Sequence, residues 1–197
     1  MKFLVVGSTG LIGSYVAKTL SKHGTVIGVS RTTQISVDVK DPASIKAMYE
    51  KVGKVDAVAS CIGKVAFKPV TELTYEDYLM GLKDKALGQV ELVRAGIDFL
   101  NDGGSFTLMT GVLARDPIPA GSVAALANGA IESFTLAAAI DLPRGLRINT
   151  VSPHVLVEAT SYHASFPGFH QVTAQSVADA YVKSILGKQT GQIYKLD

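Results

Sequence analysis

The sequence is poor in cysteine, tryptophan and charge. Its 197 residues include one cysteine and no tryptophan, and only 18% of them are charged. The single thiol, Cys61, cannot form an internal disulfide, which is typical of a protein from a reducing compartment. The net charge is +2 with acids and bases interspersed, so no basic stripe is present to bind a polymeric nucleic acid. The four histidines have no metal-ligand spacing with one another or with the cysteine, and we infer no metal site.

Long apolar runs are also missing. The longest, such as the one that ends at Ile140, fall short of the roughly 20 residues that a bilayer-spanning helix needs. The first residues, MKFLVVG, lead directly into a strand-like run without an apolar stretch of signal-peptide length. We therefore expect a soluble, cytoplasmic protein with no membrane partner. Hydrophobic residues make up 47% of the chain, which is enough for one core, and we predict a single domain over residues 1–197.

Short β-rich runs alternate with longer helical patterns. The runs KFLVVG, TVIGVS and VDAVAS are apolar without a two-residue alternation, as expected of strands that are covered on both faces. The order of elements predicts an α/β fold, a Rossmann-like doubly wound parallel sheet in three layers. The predicted strands are 2–7, 25–30, 55–60, 104–110, 146–152 and 192–196, and the predicted helices lie near 11–22, 43–52, 75–100, 121–142 and 174–186.

The connection after the second strand is unusually short. Only eight residues lead from Ser30 to Asp38, too few for a right-handed crossover helix. We predict that the edge strand and helix that usually follow are trimmed away, and that QISVDV pairs only briefly or stays at the carboxyl edge. Segments 62–72 and 153–173 are expected to be long loops at the carboxyl ends of the strands, where ligands bind in such folds.

A glycine-rich turn joins the first strand to the first helix. In GSTGLIG, Gly7 permits a tight turn, Gly10 lets the backbone approach a pyrophosphate, and Gly13 lets the helix pack closely on the strand. The first N–H groups of the helix then face an anion. Glycine also ends strands without binding anything, but this context favours a dinucleotide site. The residues expected to form it are Gly7, Ser8, Thr9, Gly10, Leu11, Ile12 and Gly13.

The end of the second strand indicates which dinucleotide binds. An acid there holds the ribose 2′-hydroxyl of NAD(H), whereas an arginine accommodates the 2′-phosphate of NADP(H). The sequence VSRTT places Arg31 after Ser30 and has no acid before Asp38. Because a guanidinium pairs well with a phosphate, we expect NADP(H) to be preferred over NAD(H), with Ser30 and Arg31 as contacts. The alternative is that Arg31 is a solvated loop charge.

The chain resembles the short-chain dehydrogenase/reductase family over nearly its whole length. The resemblance rests on the glycine turn, on Asp38-Val39 in VDVKD, on SCIG at 60–63 and on GSFTLMTG at 104–111, and LPRGLRINTVSP at 142–153 is the most specific match. It implies hydride transfer between a nicotinamide and a carbonyl or alcohol. The further cofactor contacts that it implies are Asp38, Val39, Cys61, Ile62, Gly63, Lys85, Asn128, Pro153, His154 and Leu156.

The catalytic Tyr-x-x-x-Lys pair of that family is absent. The resemblance places Ala124 at the tyrosine position and Asn128 at the lysine position. The serine position falls on Gly111, beside Thr110, and the asparagine position falls on Lys85. None of the seven tyrosines is followed four residues later by lysine, so no shifted alignment restores the pair. Family resemblance alone therefore does not establish turnover.

Four residues could replace the missing groups. Lys85 could bring a cation near the nicotinamide or donate the proton if burial lowers its pKa, and the alternative is that it is one charge of LKDK on a solvated helix face. Asn128 could bind a ribose hydroxyl. Thr110 could hydrogen-bond a carbonyl oxygen, although a β-branched residue that simply ends a strand is the plainer interpretation. His154 could donate a proton, but the sequence identifies no partner for it.

Two functions compete, and both can use a homodimer. Helix 121–142 is apolar on nearly every face, which predicts a covered outer face. The resemblance implies a homodimer through this helix and the helix near 84–100. The first function is an NADP(H)-dependent short-chain oxidoreductase of a small carbonyl or alcohol, with a degenerate catalytic tetrad. The alternative is a non-catalytic NADP(H)-binding sensor or dimeric regulatory module.

Overall fold

In the computed structural model, which describes all residues from 1 to 197, eight strands alternate with six α-helices. The strands are β1 (Lys2–Val6), β2 (Thr25–Val29), β3 (Val55–Ser60), β4 (Leu100–Met109), β5 (Arg147–Pro153), β6 (Val155–Leu156), β7 (Gln171–Val172) and β8 (Gln192–Leu196). The helices are α1 (Leu11–Leu20), α2 (Pro42–Val52), α3 (Tyr75–Gly81), α4 (Gly88–Gly96), α5 (Ser122–Asp141) and α6 (Ala174–Leu186). Six strands form one parallel sheet in the order β2-β1-β3-β4-β5-β8, and β6 pairs with β7 separately. This is the doubly wound α/β architecture that the alternation predicts.

Helices cover both faces of the sheet. α1 and α6 pack together on one face, and α2, α4 and α5 cover the other. Successive residues of β1 point to opposite layers: Leu4 and Val6 join the core under α2, α4 and α5, whereas Phe3 and Val5 join the core under α1 and α6. All four side chains are fully buried. The strand therefore has a continuous apolar sequence instead of an alternating one.

Side-chain caps fix some helix starts and are missing from others. Asp41 precedes Pro42 at the start of α2, and its carboxylate accepts a hydrogen bond from the Ala43 N–H at 2.9 Å. Thr74 and Asp77 form a reciprocal capping box at the start of α3. In contrast, α1 and α5 begin after glycines and have no side-chain cap. The first N–H groups of α1 are therefore left for another acceptor.

The connection after β2 is trimmed as predicted. β2 is the outer strand of the sheet, and the segment after it makes one parallel bridge, between Ser30 and Ser36, before the chain enters α2. The Val37 N–H donates to the Ser30 carbonyl oxygen at 3.0 Å. No further strand lies outside β2, and α2 carries the chain directly from β2 across β1 to β3. The shortened segment lies at the carboxyl end of β2 and there becomes the wall of a cavity.

The helix predicted near 75–100 contains a change of geometry. α3 and α4 are joined without a break by a π-helical turn over Leu82–Leu87. Gln89, which is fully buried, fixes this turn to the sheet: its amide nitrogen donates to the Lys85 and Met109 carbonyl oxygens at 3.2 and 2.8 Å. Its amide oxygen accepts from the Met109 N–H at 2.8 Å. Single π turns are frequent at functional sites, and this one carries Lys85.

The long helix α5 is buried on one side and apolar on the other. Val123, Ala127 and Ile131 are buried in the fold, whereas Leu126 and Ile140 are exposed. By length and composition alone α5 could cross a bilayer, with a mean hydropathy of 1.5. The apolar stretch is thus longer than the sequence analysis allowed, because alanine, glycine, serine and threonine extend it. A core helix that packs on a sheet passes the same test, so the prediction of no membrane partner stays a prediction.

Candidate functional site

The turn between β1 and α1 brings three backbone segments into close approach. Gly7 has a φ of +84°, and a Cβ at this position would lie 2.5 Å from the Cys61 carbonyl oxygen. A Cβ on Gly13 would lie 2.0 Å from the Gly7 carbonyl oxygen. Both distances are well inside van der Waals contact, so any larger residue forces the backbone to move. The tight turn and the close helix packing predicted for these glycines agree with this geometry.

The start of α1 presents unpaired backbone donors. The N–H groups of Leu11, Ile12 and Gly13 have no acceptor in the protein. Gly10 leaves the backbone accessible, since a Cβ there would touch only the Gly7 carbonyl oxygen, at 3.4 Å. Free N–H groups at the positive end of a helix favour an anion. The turn therefore fits a diphosphate.

A cavity of about 300 Å³, here called the polar cavity, opens beside this turn. It includes most of the residues predicted to bind a dinucleotide. Its lining consists of Val6, Gly7, Thr9, Gly10, Ser30, Arg31, Thr32, Val37, Asp38, Val39, Lys40, Cys61, Ile62, Gly63, Lys64 and Asp84.

Arg31 is a free cation on the wall of the polar cavity. It is exposed and makes no hydrogen bond or ion pair with the protein. The nearby acid Asp38 already has partners, since its carboxylate accepts from the Lys40 N–H at 3.0 Å and lies 4.0 Å from the Lys40 ammonium. The Ser30 hydroxyl oxygen accepts from the Thr32 N–H at 3.1 Å. A guanidinium without a carboxylate partner suits a phosphate monoester.

A second cavity of about 380 Å³ adjoins the polar cavity. We call it the apolar cavity, because 14 of its 22 lining residues are hydrophobic. Residues 61–64 line both cavities, so the two form one continuous cleft along the carboxyl ends of the strands. The lining of the apolar cavity is Ile12, Cys61, Ile62, Gly63, Lys64, Val65, Phe67, Lys85, Met109, Thr110, Gly111, Val112, Leu113, Ala124, Asn128, Pro153, His154, Val155, Leu156, Ala159, Tyr162 and Phe166.

Lys85 extends from the π-helical turn into the apolar cavity. Its stem passes over Gly63, where a Cβ would lie 2.6 Å from the Lys85 Cγ. The ammonium has no partner in the protein, and burial lowers its pKa from 10.5 to about 8. Its neighbours in LKDK point elsewhere: Lys83 is exposed, and the Asp84 carboxylate accepts from the Lys64 N–H at 2.8 Å. The alternative of a charge on a solvated helix face does not fit the position of Lys85.

Asn128 lies beside Gly111 and has one unused polar atom. Its amide nitrogen donates to the Gly111 carbonyl oxygen at 3.2 Å, whereas its Oδ1 is buried without a partner. A buried acceptor without a donor is unfavourable, so this oxygen fits a hydroxyl group of a bound molecule. Ala124 lines the same cavity and offers no proton.

Thr110 and His154 line the apolar cavity but are hydrogen-bonded to the protein. The Thr110 hydroxyl donates to the Glu132 carboxylate at 2.9 Å, which leaves no hydrogen for a substrate. Because the carboxylate is the stronger acceptor, this hydrogen bond favours the plainer interpretation that Thr110 only ends the strand. The Nδ1 of His154 lies 3.2 Å from the His170 carbonyl oxygen, and its Nε2 lies 3.2 Å from the Asp197 carboxylate. Both of its ring nitrogens thus face acceptors of the protein.

Three predicted contacts lie outside both cavities. The Ser8 hydroxyl donates to the Val29 carbonyl oxygen at 3.4 Å. Leu11 has an exposed side chain, and Gly13 is buried beneath the turn. Leu11 and Gly13 can therefore contribute to an anion site only through their backbone N–H groups. The other predicted residues, including Ile12, Pro153 and Leu156, line one of the cavities.

Sequence analysis missed several residues of the cleft. Thr32 and Lys40 join the wall of the polar cavity. Phe67, from the predicted loop 62–72, lies in the apolar cavity with its ring centroid 6.1 Å from that of Tyr162, whose place in the site the sequence left open. The loop assignments were a partial signal, since loops of this fold gather at the carboxyl ends of the strands. Which loop side chains turn inward depends on contacts that are distant in sequence.

Cys61 lies where the two cavities meet. Burial raises the pKa of its thiol to about 12, so the sulfur stays protonated at neutral pH. No three side chains of histidine, cysteine, aspartate or glutamate are placed to hold a metal ion. Lys85 also lines the cleft, and burial lowers its pKa.

Comparisons with known proteins support one family. The family model described as enoyl-(acyl carrier protein) reductase matches residues 10–191. Hydroxynaphthalene reductase arp2 of Aspergillus fumigatus is 26% identical over 175 residues, which are 76% of this chain and 64% of that protein. An uncharacterized oxidoreductase of Methylorubrum extorquens is 24% identical over 190 residues, which are 84% of this chain and 77% of that protein. The chain thus spans 64 to 77% of the length of these two relatives.

Solved structures agree over the whole chain. The crystal structure of the protein lin1944 from Listeria innocua is 48% identical, with a TM-score of 0.98 and full coverage of both chains. A small-chain dehydrogenase in complex with NADPH is 27% identical, with a TM-score of 0.89 over 100% of this chain and 96% of that one. The glycine turn and the cleft beside it are thus set in a fold shared with known dehydrogenases, and the chain belongs to the short-chain dehydrogenase/reductase family.

Proposed function

We propose that the chain is an NADP(H)-dependent oxidoreductase that acts on a small, mainly apolar carbonyl or alcohol substrate. One observation carries the proposal: a polar cavity with free backbone donors and a free Arg31 continues into an apolar cavity that holds the partnerless ammonium of Lys85. The family binds nicotinamide cofactors, and one matched structure contains NADPH.

The residues present would hold the coenzyme along the cleft. The N–H groups at the start of α1 would bind its diphosphate, and Arg31 would pair with its 2′-phosphate. The unpartnered Oδ1 of Asn128 would accept a hydrogen bond from a ribose hydroxyl. When bound, the reduced coenzyme supplies the hydride.

Lys85 would supply the proton in place of the missing tyrosine. With a pKa of about 8, its ammonium is mostly protonated at pH 7 and can both give up and regain a proton near neutrality. A proton donor of this kind is needed because the carbonyl oxygen gains negative charge as hydride reaches the carbon. The apolar walls around Lys85 strengthen its electrostatic interaction with that oxygen.

The coenzyme preference is tested with Arg31→Ala. We expect the Kd for NADPH to rise about 10- to 100-fold, the value of one lost charge-assisted contact, while the Kd for NADH changes little. Fluorescence titration of both coenzymes measures this. Arg94→Ala is the matched control, because Arg94 is an exposed arginine that pairs with Glu91 outside the cleft. A parallel loss of affinity for both coenzymes would contradict the role of Arg31.

The activity itself is tested by NADPH oxidation with a panel of aromatic and aliphatic ketones. Failure to bind either coenzyme would overturn the proposal. The non-catalytic sensor is the second candidate, and the absence of a proton donor at Ala124 favours it. Tight NADPH binding that is unaffected by Lys85→Met, together with no oxidation on any ketone, would favour the sensor.

We also propose that the chain forms a homodimer through α4, α5 and the adjoining π-helical turn. The outer faces of these elements carry exposed apolar side chains: Leu87 is 56% exposed, Leu136 54% and Ile140 85%. Exposed apolar side chains on neighbouring elements are typical of an interface. The homodimer is the partner that the family resemblance implies.

Sedimentation tests the dimer. We expect the unmodified protein to sediment as a dimer at micromolar concentration, and the double variant Leu136→Lys/Ile140→Lys to sediment as a monomer, because it places two charges on the apolar face. Lys46→Glu, an exposed charge change on α2, is the control and should leave the dimer intact. A monomeric unmodified protein would refute the interface.

A further inference from the structure

The charges of the apolar cavity are unbalanced. The titratable side chains in its lining are Cys61, Lys64, Lys85, His154 and Tyr162, and none of them is a carboxylate. Asp84 lies beside Lys85 in sequence but lines the polar cavity and binds the Lys64 N–H. Glu132 accepts a hydrogen bond from Thr110, and Asp197 contacts His154, but neither carboxylate lines the cavity. The cavity therefore contains cations and no anion.

Lys85 is held at this position by the fold. The π-helical turn, the Gln89 hydrogen bonds to the Lys85 and Met109 carbonyl oxygens, and the space above Gly63 all direct its stem into the cavity. A partly buried ammonium without a carboxylate is unfavourable in an apolar surrounding. An anion that enters the cavity would gain a charge-assisted contact that the protein itself does not provide.

We propose that the substrate is a 2-oxo acid with an apolar side chain, whose carboxylate and neighbouring carbonyl oxygen both contact the Lys85 ammonium. This inference rests on the proposed function and names its substrate class. The walls formed by Val65, Phe67, Leu113 and Leu156 would contact the apolar side chain. One ammonium has three donors, so it can contact both oxygens at once.

Reduction of the 2-oxo acid needs one hydride and one proton. The substrate carbonyl carbon accepts a hydride from NADPH, which is oxidised to NADP⁺, and the C=O π electrons move to the oxygen. That oxygen takes a proton from the Lys85 ammonium and becomes the hydroxyl of a 2-hydroxy acid. The neutral Lys85 amine then regains a proton from solvent.

Binding of two matched probes tests the substrate class. The probes are 3-phenylpropanoate and its neutral amide, 3-phenylpropanamide, titrated into the protein alone and into its NADPH complex at pH 6.5. We expect the carboxylate to bind at least about tenfold more tightly than the amide, because one charge-assisted contact contributes an affinity difference of this size. The preference should disappear in Lys85→Met and persist in Lys83→Met, where an exposed lysine two residues away is removed. Equal affinities, or a preference that survives Lys85→Met, would overturn the proposal.

The pH dependence of the same preference in the unmodified protein is a second readout that needs no variant. The preference should fall as the pH rises through about 8, where the Lys85 ammonium loses its proton. A preference that is constant from pH 6.5 to 9.5 would also overturn the proposal. Turnover is a third measurement. The kcat/KM for 2-oxo-4-phenylbutanoate should be at least about tenfold higher than that for 4-phenylbutan-2-one.

The outcomes separate this inference from the proposed function. Failure to bind NADPH would overturn the proposed function, while the probe comparison on the protein alone would still decide whether Lys85 binds a carboxylate. Reduction of the neutral ketone with an efficiency equal to that of the 2-oxo acid would uphold the oxidoreductase and overturn the substrate class.

Discussion

Lys85→Met is expected to lower the kcat for NADPH-dependent carbonyl reduction by about 10²–10⁴, the range that a positioned general acid contributes. Methionine fills nearly the same space over Gly63 but has no proton to donate. Steady-state NADPH oxidation measures the loss, and the Kd for NADPH should change much less than kcat. The pH profile of kcat in the unmodified protein should fall above about pH 8, as the ammonium loses its proton. A kcat for Lys85→Met within threefold of the unmodified value would remove Lys85 from the chemistry.

The same substitution is expected to stabilise the fold. The pKa of Lys85 falls from 10.5 to about 8 on folding, so the folded state favours the neutral amine. Below pH 8 Lys85 is protonated in both the folded and the unfolded state, so the full cost of burying its charge is present. Between pH 8 and 10.5 the unfolded chain binds more protons than the folded one, so the free energy of unfolding of the unmodified protein rises with pH. Removing the charge should therefore raise the free energy of unfolding at pH 7 by up to about 3 kcal/mol.

Urea denaturation at pH 7 and pH 10 measures this gain, which should shrink at the higher pH. Lys83→Met is the matched control, because Lys83 is exposed on the same turn and should change stability by less than about 0.5 kcal/mol. Lower stability in Lys85→Met at pH 7 would mean that the ammonium has a compensating partner. A rise in stability together with a loss of kcat is the pattern expected of a functional group held in an unfavourable environment.

Gly13→Ala is expected to destabilise the protein by about 3 kcal/mol and to weaken NADPH binding more than 100-fold. The added Cβ would lie 2.0 Å from the Gly7 carbonyl oxygen, and neither atom is at the end of a flexible side chain. α1 must move away from the turn, which displaces the N–H groups that face the diphosphate. Urea denaturation and NADPH titration measure the two effects.

Two other glycines are controls for this substitution. A Cβ on Gly10 would touch only the Gly7 carbonyl oxygen at 3.4 Å, so Gly10→Ala should leave stability nearly unchanged while it obstructs the approach of the diphosphate. A Cβ on Gly129 meets nothing within 4 Å, so Gly129→Ala should stabilise α5 by about 0.5–1 kcal/mol and leave coenzyme affinity unchanged. Equal stability of Gly13→Ala and Gly10→Ala would contradict the close approach of α1 to the turn.

Features that depend on neighbours in sequence were predictable. The strands and helices follow from the apolar runs between turn residues. The trimmed connection after β2 follows from the short step of eight positions from Ser30 to Asp38. The glycine turn was predictable because each glycine has a local steric reason. Lys85 remained ambiguous, since the sequence LKDK does not show that a π-helical turn directs one of its charges into the cleft and the others away.

Features that depend on distant partners were not predictable. The sequence did not show that Glu132, 22 residues away, takes the hydroxyl hydrogen of Thr110. His154 is occupied by Asp197 and His170, which the strand order brings beside it. Hydrogen-bond partners of this kind depend on tertiary packing, and no local pattern in one sequence encodes them.

The shortened connection after β2 also bears on how the molecule avoids aggregation. An outermost strand presents unpaired backbone groups along its length, and a second sheet can grow from them. β2 has only five residues, and the Ser30–Ser36 bridge closes its carboxyl end. Insertions that lengthen β2, or substitutions that break the bridge, would therefore lengthen the unpaired edge of the sheet and promote edge-to-edge association between molecules.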